Sequence, residues 1–247
     1  MPTAISDNPM SASRSVWRLA WPTILSNLLF TTVGFMQIKI VAQLGTSSVA
    51  AVTTGQRIFF LVQALLMGIS VAATALIARN WGARDFRQAE VVSWTSLVMS
   101  MTLAVLVSLP VIFAPRAVAG VFGLDEETTS LAATYIFWMA LFNVFAAINM
   151  MLGTALRATG DVITPLWFLL FSSLLNVLFS YLMAFGVGPI PQFGVAGVAL
   201  GGSLGAALIT IVFVIVWWRG HFNLKPARSL RMDWGICRQI VTIGGPA

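Results

Sequence analysis

The chain has 247 residues, of which 58% are hydrophobic and 9% charged, and it carries a net charge of +6. So apolar a composition excludes an ordinary water-soluble domain. A single histidine and a single cysteine exclude an intrachain disulfide and leave no ligand set for a zinc or nucleophile site within the chain.

The uncharged windows define the elements. A bilayer core is about 30 Å thick and needs roughly 20 apolar residues of helix. Residues 19–38, 58–78, 91–115 and 128–156 form uncharged windows of 20, 21, 25 and 29 residues. A further 57 residues between Asp161 and Arg219 are also without charge. Each of the first four fits one crossing. The last fits two, broken at Gly186-Val187-Gly188-Pro189-Ile190-Pro191, where no helix should continue. The prediction is an all-α integral membrane protein with six spanning helices.

Residues 1–15, with Pro2, Asp7 and Pro9, read as a polar, disordered segment. No short apolar core with a small-residue cleavage site follows, so no cleavable signal peptide is expected. Span one covers 16–44. Trp17 and Trp21 suit an interface. Pro22 removes the hydrogen bond to the Arg18 carbonyl, which predicts a bend and a hinge. Span two covers 55–78. The connector 79–87 alternates basic and aromatic residues and is expected to lie along the inner surface. Span three covers 90–113, and a polar outer turn with Gly120 and Gly123 leads to Asp125, Glu126 and Glu127. Span four covers 130–156, span five 165–185 and span six 195–218. A basic loop, 220–234, follows.

With the N-terminus placed in the cytoplasm, eleven of the fourteen Lys and Arg residues fall on the inner side. Arg57 and Arg116 fall on the outer side, and Lys39 lies near the end of span one. This asymmetry follows the positive-inside rule. It gives the basic residues the task of setting orientation and touching anionic lipid heads rather than binding nucleic acid. The expected location is a cell inner membrane, crossed several times.

Residues 235–247 resemble the start of span one. Arg238 and Pro246 are eight residues apart, as are Arg14 and Pro22. The expectation is a truncated second copy of the first unit. After an even number of crossings a second unit enters the membrane in the same orientation, which gives parallel repeats with a cavity between them.

Little here could perform covalent catalysis. There is no Gly-rich phosphate loop ending in Lys-Ser or Lys-Thr and no pair of histidines on a helix, so an enzyme is not expected. Gly197, Gly201 and Gly205 line one face of span six and allow close approach of another helix. Asn27, Thr31 and Gly34 fall within about 60° on span one, where they either line a cavity or bond to neighbouring helices. Gln63, Asn143 and Asn149 leave the same alternatives open. Lys39 either snorkels to the interface or places a charge in a cavity. Met36, Met67, Met150, Met151 and Met183 either pack or form an adaptable surface.

Three segments carry a resemblance. The first is Gly55-Gln56-Arg57-Ile58-Phe59-Phe60, continuing through Met67-Gly68-Ile69 to Ala78-Arg79 and Trp81-Gly82-Ala83. The second is Leu156-Arg157-Ala158-Thr159-Gly160-Asp161 with Thr164-Pro165-Leu166. The third is Gly194-Val195-Ala196-Gly197-Val198-Ala199. In order and spacing they resemble the multidrug and toxic compound extrusion (MATE) transporters from residue 16 onward. That family has twelve spans in two six-helix lobes, so the chain resembles the first lobe and the start of the second, which would be its partner. The resemblance implies cation-coupled export of small organic, often cationic compounds by alternating access, with H+ or Na+ as the transported coupling ion and no bound cofactor. One branch carries an Asp at the position of Gln37, and an Asn and an Asp at those of Asn176 and Ser180. Here the Asn is kept and both acids are absent. Gln and Ser cannot titrate in the working range, and another branch carries its coupling carboxylates in the second lobe. A lipid-linked oligosaccharide flippase of similar architecture would need a cationic lumen, for which only Arg57 and Lys39 are at hand. A non-transporting membrane scaffold is the other alternative.

Overall fold

The computed structural model describes residues 9–189, 191–226 and 234–244, and every described element is a helix. In chain order they are α1 (Pro9–Ala42), α2 (Thr46–Gly82), α3 (Phe86–Phe113), α4 (Pro115–Gly120), α5 (Glu126–Ala158), α6 (Ile163–Phe185), α7 (Gly194–Trp218) and α8 (Trp234–Gly244). Six of them are long and apolar enough to cross a membrane.

The helices outrun the uncharged windows. An uncharged window measures the hydrocarbon layer, whereas a helix continues until its backbone is forced to turn. At one end α2 stops at Gly45, whose φ of 112° suits glycine. At the other it runs through Arg79, Asn80 and Trp81. The connector 79–87 is therefore not a segment lying along the surface. It is a tight reversal at residues 83–85, with Arg84 at φ 61°, and Asp85 caps α3 by accepting from the Gln88 N–H at 3.0 Å. The chain from Pro9 to Arg14, expected to be unstructured, is already helical, and proline is well placed in a first turn. Residues 1–8, part of the basic loop (227–233) and the end of the repeated segment (245–247) lie outside the described residues.

A further helix stands where a plain turn was expected. Pro115 starts α4 at its first position, and Ala119 buries itself in the core. Asp125 then caps α5, accepting from the Thr128 N–H at 3.0 Å. That backbone donor holds the Asp125 carboxyl below its ordinary value. The cap's contribution is therefore present above the unfolded value and is lost as pH falls through the folded one.

Helix α5 is the hub and packs against α2, α3 and α7. The core lies in two main clusters. One, towards the acidic end of the lobe, joins Val41, Val52, Tyr135, Ile136 and Val198. The other, towards the basic end, joins Ile77, Val92, Met151, Phe213 and Trp217 with Ile236 and Ile240 of α8. There Phe168 stacks on Phe213 at 4.1 Å, and the Trp217 indole N–H donates to the Leu224 carbonyl at 2.9 Å. Gly244 of α8 meets Gly68 of α2 backbone to backbone.

Helices α6 and α7 form the tightest pair. A Cβ added at Gly197 would fall on the Met183 carbonyl, one at Gly201 on that of Phe179, and one at Gly205 on the Leu175 backbone. Backbone cannot swing aside as a side chain can, so only glycine permits this crossing. Helix α1, by contrast, lies at the margin. It touches chiefly α6 and leaves Ile24, Leu28, Phe30 and Phe35 exposed.

Candidate functional site

The glycine face of α7 leads directly to the polar centre of the lobe. Asn176 and Ser180 lie one turn apart on α6 and share the face that meets α7. Gly202 leaves room there, since a Cβ would lie 2.9 Å from Asn176 Nδ2 and 3.1 Å from Ser180 Oγ. Asn176 Nδ2 donates to the Gly202 carbonyl at 3.1 Å, and the fully buried Ser180 hydroxyl donates to the Val198 carbonyl at 3.0 Å.

Two further helices join this pair. Gln37 of α1 donates through Nε2 to Asn176 Oδ1 at 2.8 Å, and Gln56 of α2 donates to Gln37 Oε1 at 3.3 Å. Tyr135 of α5, 2% exposed, lays its ring over Gly55, where a Cβ would clash, beside Gln56. Amides and hydroxyls from α1, α2 and α6 thus close one network on the backbone of α7. In a membrane each polar group left unpaired costs several kcal/mol, so the network fixes how these helices sit. None of its side chains is a carboxylate, a histidine or a lysine.

The structure brings together Gln37, Asn176 and Ser180, and it adds Gln56, Tyr135 and Gly202, which the sequence reading did not assign to a site. The available signal was a glutamine inside an uncharged run, since polar residues at membrane depth tend to face protein. Asn27 and Thr31 do not join. Both are exposed on α1, the Thr31 hydroxyl donates to the Asn27 carbonyl at 2.9 Å, and neither side chain hydrogen-bonds another helix among the described residues. Lys39 is exposed. Pro22 is buried within an unbroken α1, with the Ser26 hydroxyl on its carbonyl at 2.8 Å. Asn143 bridges α5 to α3, through Ser108 Oγ at 3.0 Å, and Asn149 bridges α5 to α7, through Thr210 Oγ1 at 3.2 Å. The methionines do not share one surface: Met151 is core, while Met36 and Met67 are exposed.

Six helices long and apolar enough to cross a membrane, several of them tied by a part-buried polar junction, define a polytopic membrane protein of the kind from which transporter lobes are built. The family model MatE matches residues 22–182, and the chain belongs to this family of multidrug and toxic compound extrusion transporters. A probable multidrug resistance protein NorM of Bradyrhizobium diazoefficiens is 26% identical over 239 residues, which is 93% of this chain and 50% of that protein. The multidrug export protein MepA of Staphylococcus saprophyticus is 26% identical over 96% of this chain and 52% of its own length. Among solved structures, a MATE protein in a bent conformation is 25% identical and superposes with a TM-score of 0.84 over 95% of this chain and 52% of that one. An outward-facing multidrug resistance MATE transporter gives 0.85 at 24% identity, over 94% and 51%. The chain spans about half the length of the relatives it matches.

Proposed function

We propose that the chain forms the N-terminal lobe of a cation-coupled antiporter that exports small organic, drug-like compounds by alternating access, working with a second six-helix lobe in a cell inner membrane. Two kinds of support carry this reading. The relatives named above are multidrug export or resistance proteins. The part-buried junction of Gln37, Gln56, Asn176 and Ser180 lies among helices that would have to rearrange in transport. None of these four side chains titrates in the working range, so in this reading a coupling proton binds elsewhere. In this reading the basic end, with the N-terminus, faces the cytoplasm.

The test is efflux of a fluorescent cationic dye by the intact polypeptide, in cells stripped of other pumps, with the proton and sodium gradients collapsed in turn. Efflux that stops with one gradient is the expected result. No efflux under any gradient would overturn the antiporter reading.

Gln37→Asp probes the junction itself. A protonated carboxyl could still donate to Asn176 Oδ1, but an ionised one would set two acceptors face to face. The junction is therefore expected to hold while that carboxyl is protonated and to weaken once it ionises, as pH rises above about 4. Thermal unfolding of the variant should become pH-dependent across this range relative to the parent. An identical pH profile for the two would contradict the arrangement of donors described above.

Pro22→Ala tests the hinge. Alanine restores the missing backbone donor and favours helix by about 3 kcal/mol over proline. Thermal stability should hold or rise while the export rate falls. Unchanged export would remove Pro22 as a hinge.

A further inference from the structure

Five buried side-chain oxygens among the described residues have no hydrogen-bond partner: Gln63 Oε1, Thr95 Oγ1, Ser96 Oγ, Ser100 Oγ and Asn143 Oδ1. None belongs to the Gln37–Asn176 junction. They come from α2, α3 and α5, helices that pack on one another, and in the seam between these helices Leu66, Ala104 and Ala147 form a small cluster. On α3, Thr95 and Ser96 are fully buried, Ser100 is 2% exposed and Ser108 4%. Ser96, Ser100, Ala104 and Ser108 follow one another at intervals of one turn. From Thr95 to Ser108 the helix rises about 20 Å, against a bilayer core of about 30 Å.

Local bonding does not account for these atoms. Ser93 turns its hydroxyl onto the Ala89 carbonyl at 2.8 Å, and Thr102 turns onto that of Val98 at 2.9 Å, but Ser96 and Ser100 do not. Asn143, 1% exposed, commits its Nδ2 to Ser108 Oγ and to the Ala104 carbonyl at 3.4 Å. Its Oδ1 is left over, and the N–H groups of a helix interior are already spent on the helix. Beside Asn143 and Ser108 lies a pocket walled by Phe59, Val62 and Met139, with a cavity volume of about 20 Å³. One water needs roughly 10–15 Å³ on that scale. The pocket therefore has room for one or two waters and is far too small for a drug-sized molecule; its walls are otherwise apolar, so Asn143 and Ser108 are the only polar side chains that line it.

We propose that the seam between α2, α3 and α5 is a hydration site. Ordered water donates to Asn143 Oδ1 and bonds Ser108 in the pocket. Water is the ligand that fits, because it can donate to an orphaned amide oxygen and bond a hydroxyl at once, in a space of this size.

Pulsed X-ray hydroxyl-radical labelling of the intact polypeptide in lipid nanodiscs tests this, since radicals born from bound water oxidise the side chains beside it. Met139, half-buried on the pocket wall, should oxidise several-fold faster than Met183, which is also half-buried but does not line the pocket. Asn143→Leu, which fills the pocket and removes the orphaned oxygen, should bring Met139 down to the Met183 level. Should that variant fail to fold, Ser108→Ala is the milder change and should lower Met139 labelling in the same direction. Equal labelling of Met139 and Met183 in the parent, or labelling of Met139 that neither variant lowers, would overturn the proposal and leave the pocket dry.

Discussion

Asn176→Leu is expected to loosen α1 from the rest of the lobe and to lower the thermal stability of the intact polypeptide. Leucine keeps the branched shape, though it is bulkier, and removes both roles of the amide. The Gly202 carbonyl loses little, because it sits within α7 and keeps its helix bond. Gln37 loses more: its half-buried Nε2 loses its acceptor, Asn176 Oδ1. An unmet buried polar group costs about 1–3 kcal/mol, which in a protein of this size moves the midpoint of unfolding by a few degrees. Helix α1 has few other attachments to offset that loss. A double-mutant cycle isolates the pair. Replacing Gln37 by leucine as well removes the stranded donor, so the double variant should be less damaged than the two single effects added together, by about 1 kcal/mol. Strict additivity would mean that the two amides do not depend on one another.

Gly201→Ala should have the larger effect, although it adds one methyl group. That methyl would fall on the Phe179 carbonyl, and backbone packed in the middle of two long helices cannot yield locally. The helices must separate, at about 1–3 kcal/mol for overpacking. Separation also stretches the Asn176–Gly202 and Ser180–Val198 bonds, each worth about 1 kcal/mol. A total of about 3 kcal/mol or more should show as a sharp fall in folded yield and in the melting temperature. Gly34→Ala is the matched control. Nothing lies within 4 Å of a Cβ there, and alanine favours helix by about 1 kcal/mol over glycine. If both variants behaved alike, the close crossing of α6 and α7 would be refuted.

The six crossings were legible because charge is so costly in hydrocarbon that its absence outlines the layer. The helix ends were not, because they depend on backbone: Gly45, Arg84 and Gly186 decide where a helix stops, and charge says nothing of φ. Helix α4 escaped because its six residues, opened by Pro115 and closed near Gly120, look like a turn in composition. At the polar junction, Gln37 and Asn176 could be paired only through their resemblance to family positions, since they stand 139 residues apart. Tyr135 was hidden more deeply. An isolated tyrosine in an apolar helix has no periodic partner, and its place over Gly55 emerges only once α2 and α5 are packed together.

The neutral character of the junction bears on the membrane potential. Moving one elementary charge through 100 mV involves about 2.3 kcal/mol of electrical work. Gln37, Gln56, Asn176 and Ser180 can exchange partners across the same field with almost none. A rearrangement of this part of the lobe would run at the same rate in a polarised cell as in a de-energised vesicle, and any voltage sensitivity of export would belong to charges carried by other groups or by the cargo.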